Sequence, residues 1–387
     1  MVWQSNGSVA GRRFDDNTQP LGLEFPVNSS PVGFAPDPSI GVAQDGSFLV
    51  AWCAAGINAQ RFATDTTPVG PELVIADHAY VGSGITSVGA SQFVVGWTNA
   101  DYQGQARVVD GHGESSPFRL ADKGDQYNVA AAGNGDGSYR VVWYDGGDLI
   151  QGRAFTGPQP AGDVFDVAKV SSGFLQGPST CTEADGGFVV SWASYGPMGS
   201  EPALYRQYNS GGEPLSSPQP LTPEHRGPYV SQARPMVACG PQSDFAAVWA
   251  EPLGTRQVIR GRRFGPDGPA GGSDFTIGLR DGADGDGGAV ARLTGGDWVV
   301  TWTDCAMSGE CDVYGQRFTP AVGVDCAGDC NRDRRVTIDE LTLAIGISIT
   351  DDPVLMKSCL TADSNLDYAV TIDELITAVG RSLGGCR

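Results

Sequence analysis

Two twelve-residue stretches near the C-terminus hold the side chains best suited to chemistry. Residues 329–340 read DCNRDRRVTIDE and residues 363–374 read DSNLDYAVTIDE. They share the frame D-x-N-x-D-x-x-V-T-I-D-E. An oxygen cage for Ca²⁺ needs hard ligands at loop positions 1, 3 and 5, a backbone carbonyl at 7, a water-bridging group at 9 and a bidentate carboxylate at 12. Asp329, Asn331, Asp333, Arg335 through its carbonyl, Thr337 and Glu340 fill those slots in the first loop. Asp363, Asn365, Asp367, Ala369 through its carbonyl, Thr371 and Glu374 fill them in the second. The sequence therefore predicts Ca²⁺ as the cofactor. The competing reading is a pair of acidic turns before helices that hold no metal.

Position 6 of such a loop ordinarily carries Gly, because the chain turns there with φ > 0. Here Arg334 and Tyr368 occupy it. A non-Gly residue in the left-handed region costs about 1–2 kcal/mol. The expected affinity is thus weak, with dissociation constants of roughly 10⁻⁴–10⁻³ M as in extracellular modules. Val336 and Val370 fall at position 8, where paired loops share a short two-strand contact. After the loops, Leu341, Ile345 and Ile349, and then Leu375, Val379 and Leu383, recur at i, i+4 and i+8. These predict one apolar stripe per helix, each too short to stand without the other.

Residues 323–387 resemble dockerin and other paired EF-hand-like calcium modules in these loops and helices. The resemblance implies loops that hold Ca²⁺ and helices that dock onto a cohesin-like protein partner.

Elements of another kind must carry this tail. The 387 residues suffice for a large β domain plus a small module. Gly (55) and Pro (25) fit many short strands and tight turns. Net charge is −20, which argues against nucleic acid and anionic membrane as partners. No run of 18 apolar residues offers a transmembrane helix.

Nine cysteines point to an oxidising compartment, and so to an extracellular or cell-surface location. Cys326, Cys330, Cys359 and Cys386 bracket the loops and allow three pairings. Zinc is the lesser alternative for Cys326 and Cys330. Cys305 and Cys311 could staple one turn, Cys181 and Cys239 could join neighbouring repeats, and Cys53 is left over. The chain opens without a leader segment, so its natural start is expected upstream.

Across residues 1–322 a unit of roughly 45–57 residues recurs, anchored by Trp at 3, 52, 97, 143, 192, 249 and 302. An Asp-Gly or Gly-Gly turn leads into an alternating run ending on the Trp, as in DGSFLVAW (45–52) and DGGFVVSW (185–192). A strand ending in an Arg-aromatic pair follows, as in AQRF (59–62) and GRRF (261–264). Small-residue strands such as NVAAAG (128–133) come before. Four strands per unit, small residues innermost, form a β-propeller blade. Seven blades are expected, or six if the strand near Glu24–Val27 closes the last one. The fold class is mostly β: a propeller over 1–322, resembling bacterial repeat propellers, then a small α-helical module over 323–387. The repeated Trp and Arg residues are assigned to structure.

Motifs for nucleophilic, zinc-protease or phosphate chemistry are absent from the sequence. His78, His112 and His225 lie in different repeats, and Asp281, Asp284 and Asp286 form an acidic turn with only a lesser claim to Ca²⁺. The favoured function is a non-catalytic, monomeric binding protein whose propeller faces a glycan or a protein. The alternative is an extracellular polysaccharide hydrolase or lyase, and a purely structural role is the third.

Overall fold

The computed structural model describes the chain except residues 16–17, 30–36, 80, 112, 197–198, 201, 223–233, 241–242, 254–255, 266–267, 270–273, 282–287, 294–295, 306–310, 319–325, 332–334, 351–352, 364–368 and 386–387. Two compact units divide it, 1–230 and 231–387. The expected boundary at 322/323 lies outside the described residues.

Seven antiparallel sheets follow one another, spanning 2–26, 39–76, 81–119, 127–169, 174–220, 236–281 and 289–318. We call them blades 1 to 7, five in the first unit and two in the second. This is a seven-bladed β-propeller arrangement. The six-blade alternative falls because Phe25–Pro26 pairs with Ser8–Gly11 inside blade 1, at Ala10↔Pro26 and Gly11↔Phe25. Blades 1 and 7 have three strands each among the described residues, whereas blade 2 runs in simple order through four.

Alternation produces these sheets, but the anchor strands are buried on both faces. All six residues of Phe93–Thr98 are buried. Trp52, Trp97, Trp143, Trp192 and Trp249 are at most 1% exposed. Within each unit, neighbouring blades share their cores. One cluster joins Val94, Ala106 and Leu120 of blade 3 to Val129, Tyr139, Trp143 and Phe155 of blade 4. Within a blade, the first residue of the anchor strand stacks on the aromatic of the Arg-aromatic pair. Phe188 and Tyr208 lie 4.4 Å apart, and so do Phe245 and Phe264. The innermost strands need small residues because they meet backbone to backbone. A Cβ at Gly133 would sit 2.0 Å from the Ser87 carbonyl oxygen.

The arginines are also structural, and register shows how. Opposite the residue two before each anchor Trp stands a long polar side chain: Gln60 facing Val50, Arg107 facing Val95, Arg153 facing Val141 and Arg206 facing Val190. Arg153 donates through Nε to the Gly162 carbonyl of its own blade (2.8 Å) and through an Nη to Leu120 of the preceding blade (3.5 Å). Arg206 repeats the pattern, with Ser216 at 2.9 Å and Val167 at 3.1 Å. Arg153 and Arg206 thus each latch their blade's outer connection to the outer edge of the preceding blade.

In the second unit, helices α1 (Ile338–Thr350), α2 (Pro353–Ser358) and α3 (Ile372–Gly384) follow blade 7. Ala344, Ile347, Met356, Cys359, Ala362 and Val370 form their core, joined by Val258 of blade 6. The Cys330–Cys359 disulfide closes a separation of 29 residues. Cys181, Cys239, Cys311 and Cys326 are also disulfide-bonded. Cys53 is a free thiol.

Both predicted helix stripes are corrected here. Ile345, Ile349, Val379 and Leu383 are exposed, Leu383 by 86%. The buried faces are Glu340–Ala344–Ile347 and Glu374–Ala378. Steps of four residues turn about 40° past a full revolution each time, so an i, i+4, i+8 series walks off one face while i, i+4, i+7 stays on it. The short strand pairing expected at Val336 and Val370 is likewise absent among the described residues. Both are buried, but Val370 packs into the helical core and the Val336 carbonyl accepts the Ser382 hydroxyl at 2.7 Å.

Candidate functional site

The first and last positions of both loops point inward. Asp329 is 3% exposed, Glu340 7%, Asp363 1% and Glu374 6%. A buried carboxylate needs hydrogen-bond donors or a cation to offset the water it has lost. Glu340 has donors. Its Oε1 accepts the amides of Cys330 (2.9 Å) and Asn331 (3.1 Å), and its Oε2 accepts the Thr337 amide (2.8 Å) and hydroxyl (2.9 Å). The carboxylate of position 12 therefore lies back over loop positions 2, 3 and 9. Glu374 accepts the Thr371 amide and hydroxyl, both at 2.9 Å.

These contacts make Thr337/Glu340 and Thr371/Glu374 capping boxes, which satisfy otherwise orphaned amides at the helix starts. The same residues serve two patterns, since positions 9 and 12 of an ion loop are also the N-cap and third residue of the exiting helix. The loops are joined as well. Thr361 donates its hydroxyl to the Asp329 carbonyl at 2.9 Å, and the Gly328 amide donates to the Thr361 carbonyl at 3.0 Å.

Of the twelve predicted ligands, Asp329, Asn331, Arg335, Thr337, Glu340, Asp363, Ala369, Thr371 and Glu374 are described. Asp333, Asn365 and Asp367 lie outside the described residues, as do Arg334 and Tyr368 at position 6. Among the described residues no group of three or more His, Cys, Asp or Glu is gathered as a metal site. The donor set is entirely hard oxygen, and its carboxylates are buried at the loop ends. These residue types fit Ca²⁺ and suit zinc poorly. Cys330, a candidate thiolate for zinc, is committed to its disulfide.

Sequence reasoning missed a second feature, on the blades. A cleft of about 290 Å³ opens beside blades 2 and 3, lined by Asp77, His78, Trp97, Asp101, Gln105 and Arg107 among others. His112, His225, Asp284 and Asp286 lie outside the described residues.

No protein-family model and no curated protein sequence matches the chain. Solved structures do. An ulvan lyase of polysaccharide lyase family PL25, bound to a GlcA–Rha3S saccharide, matches at TM-score 0.52 and 9% identity over 82% of this chain and 91% of that one. A protein of unknown function from Dyadobacter fermentans matches at 0.50 and 11%, over 74% and 94%. The fucose-specific lectin of Aleuria aurantia reaches 0.48 and 14%, over 74% and 94%. At these identities the first two show a shared propeller fold.

Proposed function

We propose that this chain is an extracellular or cell-surface binding protein without catalytic activity. Its propeller presents a ligand face to a glycan or protein, and the helical tail is a Ca²⁺-stabilised, dockerin-like docking module that engages a protein partner of cohesin type. The supporting observation is the burial of four carboxylates at the first and twelfth positions of two in-register loops, beside oxygen donors suited to a hard cation. Asp329, Asn331, Asp333, Thr337, Glu340 and the Arg335 carbonyl would hold one ion. Asp363, Asn365, Asp367, Thr371, Glu374 and the Ala369 carbonyl would hold the other. The ion supplies positive charge that neutralises the buried acids and draws each loop onto its exiting helix. Disulfides fit an oxidising location, and no described helix is long and apolar enough to cross a membrane.

Calorimetric titration of the full chain with CaCl₂ tests the reading. Two ions should bind with dissociation constants of roughly 10⁻⁴–10⁻³ M, and sedimentation should show a monomer. Heats no larger than dilution at millimolar calcium would reject it. The fold shared with the PL25 ulvan lyase motivates a second reading, polysaccharide cleavage on the propeller. Incubation with ulvan and other polysaccharides, followed by ultraviolet absorbance of unsaturated ends and reducing-sugar release, decides that one.

A further inference from the structure

The cleft beside blades 2 and 3 marks the place where the arginine latch has not closed. In blades 4 and 5 the latch arginine reaches the preceding blade's outer strand, at Leu120 and Val167. The corresponding strand before Arg107 is the end of Pro68–Ala76, where Ile75 is fully buried as Leu120 and Val167 are. Arg107 does not bond to it. It pairs instead within its own blade, an Nη lying 2.9 Å from Glu114 Oε2. Its Nε is buried and has no hydrogen-bond partner, whereas the Nε groups of Arg153 and Arg206 each hold a carbonyl. A buried, unsatisfied guanidinium N–H calls for an explanation. Ile75 and Arg107 instead line the opening.

The rim also carries an exposed aromatic, held by its turn. The turn after the Trp97 strand is closed by Asn99 accepting at its carbonyl from the residue three on, Tyr102. Sister turns use the same bond with Gly46, Gly186 and Gly212 at that left-handed position, and two others carry Thr18 and Thr66 there. Here Tyr102 takes it, with φ 61, at a cost of about 1–2 kcal/mol. Tyr102 is 38% exposed, and its ring lies 5.4 Å from the Tyr127 ring. The turn it fixes places Asp101 at the cleft.

We infer that this open seam binds a neutral saccharide, a proposal that rests on the glycan arm of the reading above. Asp77 and Asp101 offer acceptors, while Gln105, His78 and the Arg107 Nε offer donors. A hydroxyl both donates and accepts, so a polyol meets every one of these groups without charge mismatch. Trp97 closes the base of the cleft from the core, only 1% of its surface being exposed. An acidic sugar would face two carboxylates and an arginine already neutralised by Glu114. Sialylated, uronate-bearing and sulfated glycans are therefore excluded.

The test is an array of immobilised neutral, sialylated, uronate and sulfated glycans probed with the full chain. The strongest neutral hit is then titrated against the parent, Asp101→Asn, Arg107→Met and Arg153→Met. A neutral hit weakened roughly tenfold or more by Asp101→Asn and Arg107→Met, but unchanged by the closed-latch control Arg153→Met, supports the assignment. Asp101 is exposed, so its isosteric variant keeps the test valid if Arg107→Met fails to fold. Equal affinity in all four proteins overturns the cleft and leaves glycan binding standing elsewhere. Absence of any neutral hit, or binding confined to acidic glycans, overturns the cleft; silence across the whole array removes the glycan reading too.

Discussion

The blades and the helical tail obtain their order by opposite means. A blade is specified many times over: strand alternation and a stacked aromatic pair recur from blade to blade, and an arginine latch is added in blades 4 and 5. The tail repeats its loop and helix only twice, and a few atoms specify it: the Cys330–Cys359 disulfide, two capping boxes and four buried carboxylates. Repetition makes a region legible and tolerant. A small two-copy module concentrates stability and function in residues that serve two purposes, as Glu340 does between helix cap and ion loop.

The largest expected effect attacks the blades at their shared core. Trp143 is fully buried between blades 3 and 4, so Trp143→Ala should destabilise the first unit by about 3–5 kcal/mol. Denaturant melts followed by tryptophan fluorescence measure it. A loss below about 1 kcal/mol would mean the blades share less core than their packing implies. Next comes the tail. Removing the Cys330–Cys359 bridge with the pair Cys330→Ser and Cys359→Ser should cost about 3–4 kcal/mol, from the loop it closes. Calorimetric scans that leave the second unit's transition unmoved would show that helix packing against Val258 suffices. Thr371→Ala should cost about 1 kcal/mol by opening one capping box, read as lost helical signal on heating in chelator. An unchanged melt would assign Glu374 wholly to another partner.

The smallest effect is a pH dependence in the blade turns. The Ser138 hydroxyl, and then its amide, hold the Asp136 carboxyl below the usual carboxylate range. A carboxyl depressed in the folded state contributes stability that is present above its unfolded pKa and lost as pH falls through the folded value. Asp136→Asn should therefore flatten the acid side of the melting-temperature profile below about pH 4 and leave neutral pH nearly unchanged. The same slope in both proteins would contradict the turn's role.

The contrast also decides what the sequence alone reveals. The repeat, its anchor residues and the structural role of the Trp residues were readable, because period-two alternation leaves each side chain only two directions to face. The choice between seven blades and six waited on one pairing, Phe25–Pro26 with Ser8–Gly11. In the tail, hydrophobicity misled. The exposed Ile and Leu positions outnumber the apolar residues of the buried helix faces, where Ala344 and Ala378 permit close approach and glutamates turn inward to cap. The cleft at Arg107 was hidden for another reason. At residues 104–107 the sequence reads GQAR, with no aromatic after the arginine, and only its register against Val95 places Arg107 with Arg153 and Arg206.

The most direct measurement is calcium-dependent melting of the full chain, parent against the double variant Glu340→Gln and Glu374→Gln, in chelator and in millimolar CaCl₂. Linkage raises stability only for a ligand that prefers the folded state. The account predicts that calcium raises the parent's melting temperature and that the variant loses most of this rise. Identical melting of both proteins with and without calcium would contradict it, leaving the two loops as capped acidic turns before helices.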